Sequence, residues 1–148
     1  MKRRQLVKFF IALPILGGLL KSVAARAEWN VDAFAAETEA EALNIIFPGR
    51  EVISSDAIRI GVHDLVENGA VVPVKIECDL PAVSSISILV EKNPNALVAH
   101  FDLSPECKAF VATRIKVGAP SDIIAVVQSE GKLYSKRQFV TVVDGGCG

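Results

Sequence analysis

Three cysteines are the residues of this chain best suited to covalent chemistry, and their settings differ. Cys147 stands in the run Gly145-Gly146-Cys147-Gly148. Glycine opens backbone conformations closed to other residues, and a chain end is ordered only where something ties it down. The five residues from Asp144 onward reach roughly 17 Å at about 3.4 Å each. Such a tail reads as a swinging arm with a thiol on it. A catalytic cysteine needs an adjacent base or an electropositive pocket to hold and activate it. Here the nearest charge in sequence is Asp144, and a neighbouring negative charge disfavours thiolate. A free thiol titrates near about 8.5 and is mostly protonated at neutral pH, so activation must come from whatever enzyme the arm enters. This arrangement suits carriage of a covalently held group from one active site to another.

The elements that must position this arm follow from periodicity. Val31 to Phe47 is rich in Ala, Glu and Leu, with Phe34, Ala42, Ile45 and Ile46 on one stripe and Pro48-Gly49 to stop it; this predicts one helix. The period then changes to two. Ile58, Ile60 and Val62 alternate with polar neighbours, as do Val72, Val74, Ile76 and Cys78; Ile86, Ile88 and Val90; Ala99, Phe101 and Leu103; and Val111, Ile115 and Val117. Ile123 to Val127 is continuously apolar, and Leu133 to Val143 runs straight into the glycine tail. Asn68-Gly69 reads as a strong turn signal and Glu130-Gly131 as another turn. Seven short strands with one apolar face predict an all-β, immunoglobulin-like antiparallel sandwich. The chain divides into 1–27, a helical segment 28–50, a sandwich 51–143 and the arm 144–148, without internal repeat or second domain.

Cys78 closes the second of these strands and Cys107 precedes the fifth. In an immunoglobulin-like sandwich those strands are antiparallel neighbours, and the parity of both cysteines matches inward-facing valines and isoleucines. Two readings stand at this point. A disulfide between Cys78 and Cys107 would close about thirty residues and add roughly 3 kcal/mol or more; otherwise both are reduced and pack as small hydrophobes. A bridge would leave Cys147 as the odd thiol. His63 and His100 fall on polar sides of their strands and read as solvated residues, with no C-x-x-C or third ligand to suggest a metal. Trp29 reads as a helix staple or subunit contact. No Ser-His-Asp set, phosphate loop or carboxylate pair is apparent.

The other end of the chain carries an address. Lys2-Arg3-Arg4-Gln5-Leu6-Val7-Lys8 is followed by an apolar run from Phe9 to Leu20 and by Ala24-Ala25-Arg26-Ala27. Charged, apolar and small-residue parts in that order form a secretory signal peptide, and a run of about twelve residues is too short to span a bilayer. The paired Arg3 and Arg4 point to twin-arginine export, with cleavage after Ala27 and no membrane anchor left behind. Residues 1–27 hold six of the sixteen basic residues and none of the seventeen acidic ones, so the remainder carries ten against seventeen, a net charge of −7. An acidic domain is a poor match for nucleic acid or anionic membranes.

Taken together, the twin-arginine signal, the Ala/Glu helix, Glu67-Asn68-Gly69-Ala70-Val71-Val72-Pro73-Val74, Asn93-Pro94-Asn95, Thr113-Arg114-Ile115, Gly131-Lys132-Leu133-Tyr134 and the terminal GGCG resemble the SoxY family. These are sulfur-carrier subunits of the periplasmic sulfur-oxidising (Sox) system, and the likeness covers essentially the whole mature chain. The resemblance implies a non-enzymatic carrier whose cysteine, here Cys147, holds sulfur-oxidation intermediates (S-thiosulfonate, persulfide) covalently, without a separate cofactor. It implies a SoxZ-like partner subunit, a c-type cytochrome that attaches thiosulfate, a hydrolase that releases sulfate and, in some organisms, a sulfur dehydrogenase. Two departures stand out. The family tail usually ends GGCGG, one glycine more than here, and the family does not rely on extra cysteines. Two other classes fit the residues less well: a periplasmic immunoglobulin-like structural or adhesion subunit whose tail makes an intermolecular disulfide, and a small thiol redox or metal-delivery protein.

Overall fold

Alternation of period two dictates strands with one wet and one dry face, and the computed structural model, which describes residues 30–143, stacks those dry faces. The segment 1–29, with Arg3, Arg4 and Trp29, and the arm 144–148, with Gly145, Gly146, Cys147 and Gly148, lie outside the described residues.

The expected single helix is two: α1 (Val31–Ala35) and α2 (Glu39–Ile46). The break has a local cause. Asn30 caps α1 by accepting from the Ala33 amide at 3.1 Å, and Thr38 caps α2 by accepting from the Glu41 amide at 3.2 Å. A threonine with a glutamate three residues on favours starting a new helix over continuing an old one. The gap is then held by the Ala36 carbonyl, which accepts from the Ala96 amide at 3.0 Å.

Among the described residues nine strands follow rather than seven: β1 (Val52–Ser54), β2 (Ile58–Gly61), β3 (Leu65–Val66), β4 (Val72–Cys78), β5 (Val83–Val90), β6 (Leu97–Asp102), β7 (Phe110–Ile115), β8 (Ser121–Ser129) and β9 (Lys132–Val142). The larger sheet has the order β1-β9-β8-β5-β6, with β3 also on β9; the smaller is β2-β4-β7. All pairings are antiparallel except β1 and β3, which run parallel to β9. The immunoglobulin-like sandwich expected from the sequence is the fold, with the second and fifth expected strands (β4 and β7) paired as antiparallel neighbours.

Between the sheets lies one core, including Ile58, Val72, Val74 and Ile76 from one side and Ile86, Ile88, Ile123 and Val127 from the other. A second cluster lies on the outer face of the larger sheet, where Leu89, Ile124, Val126 and Leu133 meet Ala33, Ala42, Leu43 and Phe47. This helical cover is why Ile123 to Val127 is apolar without alternation: β8 is buried on both faces. Each such side chain contributes about 1.5–3 kcal/mol on burial. Glu130 and Gly131 both take positive φ, 49° and 76°, in the β8–β9 hairpin, the backbone twist a two-residue turn between antiparallel strands requires. Among the described residues, no helix is long and apolar enough to cross a membrane.

Candidate functional site

Strand directions sort the loops into two ends. The β3–β4 turn, the β5–β6 loop, the β7–β8 loop and the exit of β9 share one end, from which residues 144–148 leave; the β4–β5 connection, the β6–β7 loop and the β8–β9 turn share the other.

At the arm end, β9 is held to its last residue. Its eleven residues pair with β8 on one flank and successively with β1 and β3 on the other. The Thr141 amide donates to Asp64 O at 2.8 Å and the Val143 amide to Val66 O at 3.0 Å. Val140 is buried and Val142 packs against the inter-sheet core. The turn expected at Asn68-Gly69 is present, with the Val71 amide donating to Asn68 O at 3.4 Å, and it crosses from β3 in the larger sheet to β4 in the smaller. Asn68 Oδ1 accepts from the Ala70 amide at 3.0 Å, and Gly69 O accepts from the Val117 amide at 2.7 Å. A side chain at Gly69 would overlap the Val117 carbonyl oxygen and crowd Val142 Cγ1 at 2.9 Å. Glycine is therefore required here by close approach, and the approach locks the arm's root to the β7–β8 loop. Four residues beyond Val143 bring Cys147 within a reach of roughly 14 Å.

Beside this root, a cavity of about 710 Å³ opens between β6 and β7, the edge strands of the two sheets. Its walls include Lys92, Arg114, Lys116, Asn93 and Asn95. Asn93 pins two loops together: its Nδ2 donates to Lys116 O at 2.8 Å and its Oδ1 accepts from the Gly118 amide at 2.9 Å. The sequence reading missed this cavity. Its cations lie on separate loops and strands, and the alternation Arg114-Ile115-Lys116 looks like any solvated strand face.

The far end carries the other two thiols, both free. The bridge expected between Cys78 and Cys107 is therefore absent. Cys78 is half-buried at the end of β4, its amide donating to Ala109 O at 3.0 Å. Cys107 does not face inward as its parity suggested; it is exposed in the β6–β7 loop, two residues before the pairing with β4 takes hold. That loop turns on itself, with the Cys107 amide donating to Ser104 O at 2.9 Å, so strand parity does not extend to it. Both cysteines line one cavity of about 370 Å³. Burial pushes the Cys78 thiol up, against a lowering contact from the Leu80 amide, with Asp79 raising it further. Arg59 bonds Asp79 and Glu77; it holds the Asp79 carboxyl below the usual range. Its own guanidinium is raised chiefly by Asp79.

Of the two histidines, His63 is exposed, but His100 is not a solvated residue. Its side chain is 22% exposed, its Nδ1 lies 2.8 Å from Ser87 Oγ and its Nε2 3.5 Å from Asp102 Oδ1. The Phe47 ring meets it edge-on at 6.2 Å. A Ser-His-Asp chain that sequence reading did not see thus exists. It cannot supply a nucleophile: Ser87 is 0% exposed and substrate has no access to its hydroxyl. The network instead satisfies a polar group under the helical layer. Among the described residues, no group of three or more His, Cys, Asp or Glu side chains is placed to hold a metal ion.

The family model for "Sulfur oxidation protein SoxY" matches residues 43–147. The chain belongs to the SoxY family. The solved structure of the sulfur carrier protein SoxY from Chlorobium limicola f thiosulfatophilum is 34% identical, covering 78% of this chain and 100% of that one with a TM-score of 0.67. A structure of the bacterial superantigen toxic shock syndrome toxin-1 aligns at 10% identity over 58% of this chain and 99% of that one with a TM-score of 0.41, and carries no argument. A search of curated proteins finds no match.

Proposed function

We propose that this SoxY-family chain is a covalent carrier of sulfur-oxidation intermediates on Cys147, exported to the periplasm by the twin-arginine route under Arg3 and Arg4 and working as a heterodimer with a SoxZ-like subunit. The observation that carries this reading is that the family match runs from residue 43 to residue 147 and so takes in the cysteine itself. The built root supports it: a strand fastened to Val143 gives the arm a fixed origin, and Gly145, Gly146 and Gly148 give the thiol freedom of approach.

In the first step the Cys147 thiol loses its proton, its sulfur bonds to the outer sulfur of thiosulfate, and two electrons leave to a c-type cytochrome, giving cysteine S-thiosulfonate. Water then attacks the terminal sulfone in a hydrolase; the S–S bond to it breaks, sulfate departs, and a persulfide remains on the arm. Further oxidation, in some organisms by a sulfur dehydrogenase, followed by a second hydrolysis restores the thiol. The chain contributes tethering: each later enzyme meets a protein surface rather than a dilute anion. Cys147→Ser tests the reading. The variant should fold as the parent does and carry no adduct after incubation with thiosulfate and the attaching cytochrome; a sulfur adduct persisting on it contradicts the assignment.

A further inference from the structure

The cavity beside the arm's root is chemically unlike the rest of the molecule. The chain from residue 28 onward has a net charge of −7, yet three of its ten basic residues, Lys92, Arg114 and Lys116, line this one space and no Asp or Glu does among the described residues. All three are exposed, and none makes an ion pair among the described residues. The other arginines and Lys136 are bonded: Arg59 to Asp79 and Glu77, Arg137 to Glu39, Arg50 to the Gly131 carbonyl, and Lys136 to Asp56. Lys75, Lys108 and Lys132 are also without ion pairs among the described residues, but they stand singly on separate elements and none lines this space; three unpaired cations gathered around one concave space offer a site to an anion. The site is also held in place. Asn93 bonds Lys116 and Gly118 with its side chain, fixing Lys92, its neighbour in sequence, against the β7 edge. Asn95 Nδ2 donates to Ala35 O at 3.0 Å, fastening the same loop to the helical layer.

We infer that Lys92, Arg114 and Lys116 form a binding site for a sulfur oxyanion of the thiosulfate or sulfonate class on the body of the carrier. The Arg114 guanidinium offers a planar fork of donors to two oxygens of a tetrahedral head; the two ammonium groups supply compact charge on either side. Asn93 is a positioning residue, since both ends of its amide are engaged by backbone. The site adjoins the arm: Gly69, which packs on Val142, accepts from Val117, and Val117 lies between the cavity-lining Lys116 and Gly118. Two sources of the same chemistry therefore compete for it, a free oxyanion and the sulfonate carried on Cys147. The inference deepens the carrier reading and rests on it for the choice of sulfur oxyanion.

Calorimetric titration with sodium thiosulfate tests it, using the full exported chain bearing Cys147→Ser so that no adduct can form. Binding should weaken at least about fivefold in a Lys92→Gln, Arg114→Gln, Lys116→Gln variant, as loss of three exposed charge contacts implies. It should fall with added sodium chloride through screening. Asn93→Ala should weaken it while leaving all three charges in place, a result that a diffuse charge effect would not give. Equal affinity in the parent and the triple variant, or no heat in either, overturns the site. A parallel arm names the source. The chain with Cys147 intact is loaded with tetrathionate, the two-electron oxidant of this step: the thiolate attacks an inner sulfur, the central S–S bond breaks, thiosulfate leaves with the electron pair, and an S-thiosulfonate remains on Cys147. If the loaded chain no longer binds free thiosulfate, the arm's own sulfonate occupies the site; if it binds as before, the site serves the free ion. Thiosulfate binding alongside failure of Cys147 to carry any adduct in the cytochrome assay would break the carrier reading and leave the site standing.

Discussion

The two ends of the sandwich are built on opposite plans. At the far end, Cys78 and Cys107 share a cavity, Arg59 is tied to two carboxylates, and the loops close on themselves. At the arm end there is no cysteine among the described residues, three cations stand without carboxylate partners, and Gly69 lets its turn close on the Val117 carbonyl and the Val142 side chain of β9. The length of the sandwich keeps the two ends apart. Val72 and Cys78 stand at opposite ends of β4 with five residues between them, about 20 Å at a strand's rise. The end of β9 at Val142 and Val143 lies at the opposite end of the sandwich from Cys78 and Cys107.

The largest effect that could break this comparison lies at the arm's root. Gly69→Ala puts a methyl group into the Val117 carbonyl and Val142, an overpacking that should cost about 2 kcal/mol or more. At the far end, Gly131→Ala meets nothing within 4 Å but must hold φ near 76°, costing about 1 kcal/mol. Urea unfolding of the two variants should rank them in that order; a Gly69 variant as stable as the parent would mean the root is not locked as described. Next comes thiol reactivity. Iodoacetamide at pH 8 should modify exposed Cys107 several-fold faster than half-buried Cys78, whose thiol burial pushes up. Mapped peptides labelled at equal rates would show that the shared cavity does not shield Cys78.

The smallest effect concerns alkaline stability. A folded-state thiol pKa above its unfolded value means that the folded chain binds more protons, so Cys78 favours folding less as pH rises from about 8.5 upward. Cys78→Ala should flatten that decline between pH 7 and pH 10, measured as urea midpoints against the parent, whatever it does to stability at pH 7. A decline of the same slope in both chains would place its origin elsewhere.

Much of the fold was legible in the sequence because the sandwich core obeys period two: β2, β4, β5, β6 and β7 all show it, and β8 announced itself by losing it. The strands that stayed hidden, β1 and β3, have three and two residues, too few for any period, and exist because β9 offers them an edge. The helix break was written as Thr38 followed by Glu41, but the Ala/Glu/Leu composition around it speaks for continuity. Asn68-Gly69 was legible as a turn and not as a crossing between sheets, since that depends on which strands pair. Cys147 and its glycines lie outside the described residues, so their reading rests on the sequence. The cations around the arm's root could not be read from it, because Lys92 and Lys116 are joined only by the Asn93 bridge across two loops. Cys107 misled for the same reason: parity carries along a strand and stops at its end.

The central claim is that sulfur travels on Cys147. Its most direct test is the intact mass of the chain purified from its own periplasm while the cells oxidise thiosulfate, before and after reductant, with the cysteine peptides mapped. The carrier account predicts mass increments of sulfur or thiosulfonate on the Cys147 peptide that vanish on reduction, with Cys78 and Cys107 unmodified. A bare Cys147, or a plain disulfide between two copies of the chain, would contradict it.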